Sequence, residues 1–205
     1  MYKIISKISV KEKELIQNQY INNHFVLTEI GNKKLIFVPE NRLFTLNTDN
    51  KTIKVINLSQ QLEQIGKVKV MLGELKTESI NDSENIAGYS TRGMKVININ
   101  NNTVKFSMKL VYAKIPGIEK TVYPEFMKLE QSKQLVNLNI EGNEILTSIN
   151  SEMYVQGNIV QKQSMEVVQI ESDLDDNEEF DEYLEFINKV KCLDQNFREQ
   201  DVQKF

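Results

Sequence analysis

Residues Asn85–Ile118 read NIAGYSTRGMKVININNNTVKFSMKLVYAKIPGI, and this stretch decides the fold class. In TVKFSMKLVY, Val104, Phe106, Met108, Leu110 and Tyr112 share one parity; Thr103, Lys105, Ser107 and Lys109 share the other. A side-chain period of two belongs to a β-strand with one apolar face. Only Val111 breaks the pattern. Upstream, Asn98, Asn100, Asn101 and Asn102 mark a hairpin, and Ala87-Gly88-Tyr89 a tighter turn.

The same period recurs outward from this stretch. Tyr2, Ile4, Ile8 and Val10 oppose Lys3, Lys7 and Ser9, and QYINNHFVLTEIGNKKLIFVP holds two more strands, broken at Asn22-Asn23 and Gly31-Asn32. His24 falls in one of them, and Pro39, which has no N–H for a ladder bond, ends the last. RLFTLNTDNKTIKVINL reads as a hairpin turning at Asn47 to Asn50. EILTSINSEMYV and IVQKQSMEVVQIES form a late pair that turns at Gly157-Asn158.

Two segments carry a helical period instead. SQQLEQIGKVKVMLGELK places Leu62, Ile65, Val68 and Leu72 on one face, a helix near residues 60–72. TVYPEFMKLEQSKQLV starts a short helix at Pro124, a residue suited to a first helical turn. Beyond Ser172 the composition turns acidic, and a C-terminal helix is predicted near 177–192, ending in a frayed tail. The expectation is a mainly β (α+β) chain: about ten strands in an antiparallel meander with one or two helices over residues 1–176. The acidic helix and tail occupy 177–205.

Composition narrows the function. The 205 residues include 25 basic and 29 acidic ones, mixed along most of the chain, for a net charge of −4. A nucleic-acid protein would gather a basic face. No apolar run is long enough for a transmembrane segment. The opening MYKIISKISVKEKELIQ shows no apolar signal-peptide region, which fits a cytoplasmic chain or a mature segment.

Chemistry-bearing patterns are missing. The lone Cys192 cannot form an internal disulfide or a cysteine-rich metal site, and no nucleophile elbow accompanies the single His24. The glycines form no phosphate-binding motif. Asp173, Asp175 and Asn177 match the first ligands of an EF-hand loop, but Glu178 replaces its glycine and Leu184 its closing glutamate. The signature fails, and Asp175, Asp176 and Glu178 are read instead as the negative charge that suits a helix N-terminus. The reading is a non-enzymatic protein without cofactor or metal.

LFTLNTDNKTIKVINL, ENIAGYSTRGMKV and GNIVQKQSMEVVQIESDLDDNEEF follow one another in an order that resembles the LolA-like proteins, including the bacterial domain family of unknown function numbered 4412. The middle segment is similar to that family's I-A-G-Y-x-C-x-x-[YM]-x-V, with Thr91 in place of the cysteine. The resemblance spans residues 2–180. It implies a curved antiparallel half-barrel closed by helices, which holds acyl chains or lipoprotein anchors in the cell envelope or periplasm.

Alternation alone describes buried core as well as it describes a ligand groove. With the resemblance, the Phe106, Met108, Leu110 and Tyr112 face is expected to line an apolar groove, joined by Phe37 and Phe44. The expected function is a monomeric binding or carrier protein for a hydrophobic ligand such as an acyl chain or lipoprotein. The alternative is a solid-core interaction module that uses a sheet edge or the acidic C-terminal helix.

Overall fold

The computed structural model describes residues 1–10, 13–39, 42–47, 49, 52–56, 58–80, 85–136, 138–174 and 203–204. Alternation becomes pairing almost everywhere. The first half gives β1 (Tyr2–Val10), β2 (Lys13–Ile21), β3 (Val26–Ile30), β4 (Lys33–Val38), β5 (Arg42–Asn47) and β6 (Thr52–Val55). After α1 (Leu58–Leu72) come β7 (Glu74–Ile80), β8 (Asn85–Ile86), β9 (Tyr89–Ile99) and β10 (Val104–Lys114). α2 (Tyr123–Ser132) precedes β11 (Glu144–Val155) and β12 (Asn158–Glu171), and β13 (Gln203–Lys204) ends the described chain. The helix predicted over 177–192 lies outside the described residues.

The strands make one open antiparallel sheet in the order β13-β6-β5-β4-β3-β2-β1-β12-β11-β10-β9-β7, with β8 paired to β9. It is the mainly β, half-barrel-like architecture that was expected, with extra short strands at its margins. Its C-terminal residues 203–204 pair with β6 rather than fraying. The curl has a simple cause. Ten inter-strand steps separate β6 from β7, about 48 Å in a flat sheet. α1 and a few flanking residues must join them, and its 15 residues reach only about 22 Å. The sheet therefore has to bend until its edges approach.

Local chemistry seats the C-terminal end of that strap. α1 stops at Leu72 because Gly73 adopts φ +76 and its N–H donates back to Lys69 O at 3.0 Å. Asn98, near the end of β9, and Asn101, in the turn to β10, then satisfy the free carbonyls: Asn101 Nδ2 donates to Met71 O at 3.1 Å and Asn98 Nδ2 to Leu72 O at 3.2 Å. Of the helical face expected to be buried, Leu72 is buried and Ile65 half-buried, whereas Leu62 and Val68 are exposed. α2, not α1, covers the sheet.

The break at Val111 marks a bulge. Val111 opposes Ser148 and Tyr112 opposes Leu146, so Thr147 is the extra residue. Thr147 is fully buried and its hydroxyl donates to Val111 O at 3.0 Å. Leu110 through Ala113 are consequently all buried. His24 is not in a strand: it sits exposed in the β2–β3 connection, its N–H donating to Asn22 Oδ1 at 2.8 Å. The late turn is Gln156-Gly157, both at positive φ, one residue earlier than expected.

Between β10 and α2 the chain turns sharply at Gly117, φ +88, where Tyr2 donates its hydroxyl to Pro116 O at 2.9 Å. A Cβ on Gly117 would lie 2.5 Å from that hydroxyl oxygen. The left-handed backbone and the rigid ring both oppose a side chain. Gly117→Ala is expected to cost at least about 2 kcal/mol, read as a lower urea midpoint. A change within about 0.5 kcal/mol, the ordinary range for a surface substitution, would contradict this account of the turn.

Candidate functional site

The inner face of the sheet follows from cross-strand partners, which point the same way. Ile21, Val26, Phe37 and Leu43 face one another across β2 to β5. With Ile4, Ile145 and Val167 they form a core against Val122, Tyr123, Phe126, Met127 and Leu129 at and within α2. The Phe126 ring meets Phe37 at 5.5 Å, tilted 59°. Backbone bonds fix the helix there: Val122 N–H donates to Asn22 O at 3.1 Å, while the Asn22 side chain accepts from Phe25 N–H at 2.9 Å. At the other end Gln131 Nε2 donates to Ile140 O at 3.1 Å.

Farther along the same strands the inner face stops touching the helix. A cavity of about 460 Å³ opens between sheet and α2. One wall is polar, made by Gln17 and Gln19 of β2 and Thr28 of β3, where Gln19 Nε2 donates to Thr28 Oγ1 at 3.2 Å. The facing wall is apolar, made by Met108, Leu110, Leu146 and Ile149, with Met165 between the two on β12. Phe126 and Met127 of α2, with Lys133 to Val136 and Leu138 after it, supply the roof. Most of the apolar strand residues here remain half-buried.

The expected groove residues divide. Met108 and Leu110 line the cavity. Phe106 packs half-buried beside them, and Tyr112 is buried in the adjoining cluster with Met94, Val96 and Leu138. Phe37 is on the inner face but is sealed under Phe126. Phe44 is on the opposite face: it pairs with Ile36, not Phe37, and packs with Phe25, Leu27, Val38 and Leu46. The expectation that Phe37 and Phe44 share one concave wall fails because they differ in parity across the β4–β5 register.

Residues that alternation did not single out complete the site. Gln17 and Gln19 turn inward on the same face of β2 as the buried Ile21, while Leu15, on that face but outside the cavity lining, stays exposed. Glu130 and Lys133 line the roof as an ion pair with each other. The Gln134 Oε1 atom is buried beside the cavity without a hydrogen-bond partner, as is the Tyr112 hydroxyl. Burial drives the Tyr112 and Tyr123 hydroxyls above the usual tyrosine range. Gln134 lies near enough to temper that effect for Tyr112, yet no atom pair between them reaches hydrogen-bond geometry.

Behind this wall lies the one strongly buried carboxylate among the described residues. Glu144 is fully buried, and Arg92 grips it through Nε and Nη2, both at 2.6 Å. The Arg92 guanidinium also sits 5.3 Å from the Tyr112 ring centre. Burial pushes the Glu144 carboxyl up, but the Arg92 bonds and the Glu141 N–H more than offset it, so the group ionises below the usual carboxylate range. Among the described residues no group of three His, Cys, Asp or Glu side chains comes together to hold a metal ion. None of their helices is long and apolar enough to cross a membrane.

No protein-family model matches the chain, and no curated protein matches it.

A carboxylate with a depressed folded pKa stabilises above its unfolded value, about 4.3, and that contribution is lost as pH falls through the folded value. Arg92→Met removes the partner and leaves Glu144 buried alone, at a cost of about 3 kcal/mol at pH 7, the low end for a broken buried pair because Arg92 is partly exposed. In the variant, burial raises the Glu144 pKa, so protonation relieves the penalty. The stability difference from wild type should therefore shrink as pH is lowered from 7 to 4. A pH-independent difference in parallel urea titrations would contradict the pairing.

Proposed function

We propose that this chain is a non-enzymatic binding or carrier protein that holds the aliphatic part of a hydrophobic ligand between its sheet and α2. The observation that carries the reading is the cavity of about 460 Å³, within the range of about 300–1,000 Å³ typical of small-molecule sites. Met108, Leu146, Ile149 and Met165 stay half-buried at its wall, where a solid core would have closed over them.

Energetics support a chain-like ligand. Each buried methylene contributes about 0.8 kcal/mol, so a tail of about a dozen supplies roughly 10 kcal/mol before the costs of association. No group of metal-ligand or nucleophile type is required for this, only apolar area with an open mouth. A lipoprotein anchor and a cell-envelope location, which the LolA-like resemblance implies, belong to the same proposal.

The test contrasts two neighbours on β10. Met108 is half-buried at the cavity wall, and Leu110 is 3% exposed. Met108→Glu should remain folded, since its charge can hydrate in the cavity, and should lose an uncharged environment-sensitive probe that carries an aliphatic tail. Leu110→Glu strands a carboxylate in tighter packing and should cost several kcal/mol. Urea midpoints and probe fluorescence report both. A Met108→Glu protein that unfolds, or a wild type that never takes up the probe, overturns the proposal.

A further inference from the structure

The two ends of the sheet differ in what they show to solvent. α2 closes one end, where Ile4, Ile21 and Ile145 are buried beneath it. The other end gathers the β1–β2, β9–β10 and β11–β12 connections and the last turn of α1. Asn101 ties that helical turn to the β9–β10 connection, and Gln156 N–H ties the β11–β12 tip to it by donating to Thr103 O at 2.9 Å. β3 stops opposite Gln17, so β2 runs on past it through Ile16 and Leu15. At this end lie the four most exposed large apolar side chains among the described residues: Val70, Ile159, Ile16 and Leu15, from 84% down to 46%. Such a concentration at one end marks a docking surface, where scattered single residues would not.

Resting on the carrier reading above, we infer that this end docks on a lipid bilayer with anionic head groups, and that the ligand's tail passes between bilayer and cavity along the sheet. Three observations carry it. The exposed large apolar side chains among the described residues are all Val, Leu, Ile or Met, whereas protein partners are gripped by Tyr, Trp and Arg. Lys13, Lys69 and Lys105 stand exposed beside the tips against Glu14 and Glu74, and Lys162 pairs with Glu152. The end therefore leans basic on a chain of net charge −4, which suits anionic head groups. Finally, an apolar row joins the end to the cavity: Leu15 faces Ile8, Ile8 faces Met165, and Met165 faces Ile149. Met165 and Ile149 line the cavity, two strand spacings, about 10 Å, separate Leu15 from Met165, and a tail on this row stays on apolar side chains throughout.

The experiment is flotation of the 205-residue chain with vesicles of phosphatidylcholine alone and of phosphatidylcholine mixed with phosphatidylglycerol. Wild type should float with the mixed vesicles, more strongly than with phosphatidylcholine alone, and added salt should weaken the difference. The double variant Val70→Gln/Ile159→Gln should lose about tenfold or more in vesicle partitioning, because two aliphatic side chains no longer enter the interface. Both positions are exposed, so its urea midpoint and its uptake of the tailed probe from free solution should stay unchanged. Val168→Gln, exposed to a similar degree but toward the α2 end of β12, should float as wild type does. A double variant that floats as well as wild type overturns the assignment of this end. A wild type that ignores both vesicles overturns membrane docking and leaves the carrier reading standing; if it self-associates and the double variant does not, the surface belongs to a second copy instead. A wild type that floats but takes up no probe overturns the transfer route together with the carrier reading.

Discussion

The docking of α2 on the inner face of the sheet is the contact on which the rest depends. Phe126 against Phe37 closes the core at one end of the helix, and the Asn22–Val122 backbone bond sets where the helix begins. Because that end is sealed by large rings, the helix cannot settle onto the other end, where the strands carry Gln17, Gln19 and Thr28. The cavity is the space this mismatch leaves. The same placement explains why residues after α2 form a roof: the chain must return over the opening to reach β11. That one packed corner positions α2 and the roof that follows it.

A second constraint gives the sheet its shape. A helix of 15 residues ties strands near opposite edges, so the sheet bends, and bending brings the β2–β3 wall opposite the β10–β11 wall. Bulges take up the strain of bending. Thr147 is inserted beside Val111, and Val168 is left without a partner where Ile5 and Ser6 meet Gln169 and Val167. The Arg92–Glu144 pair closes the end of the same wall, linking β9 to the start of β11 through a buried carboxylate. Stability and site geometry are therefore coupled.

Much of the fold was legible because strand period is a local signal. The β10 alternation, the Pro124 helix start and the helix near 60–72 all rest on residues within a few positions of one another. What remained hidden depends on register. Phe37 and Phe44 look equivalent as isolated aromatics, and only the pairing of Phe44 with Ile36 sends them to opposite faces. Gln17 and Gln19 carry no apolar signal, so alternation does not mark them; only their shared parity with Ile21 in β2 turns them inward. Asn98 and Asn101 read as hairpin residues, and their bonds to the end of α1 connect residues about two dozen positions or more apart. The Arg92–Glu144 contact crosses 52 positions and leaves no trace in any short window. The one signal available beforehand was the interruption at Val111, which marks the bulge and the doubly buried run beside the site.

Native mass spectrometry of the 205-residue chain, purified without detergent and then mixed with an uncharged single-tailed amphiphile, tests the central claim most directly. The account predicts a one-to-one adduct that persists in Phe44→Leu, whose side chain faces away from the cavity, and disappears in Met108→Glu while both variants keep a folded charge-state distribution. A wild type that forms no adduct, or an adduct that folded Met108→Glu retains, would contradict the claim that the space beneath α2 is a ligand site.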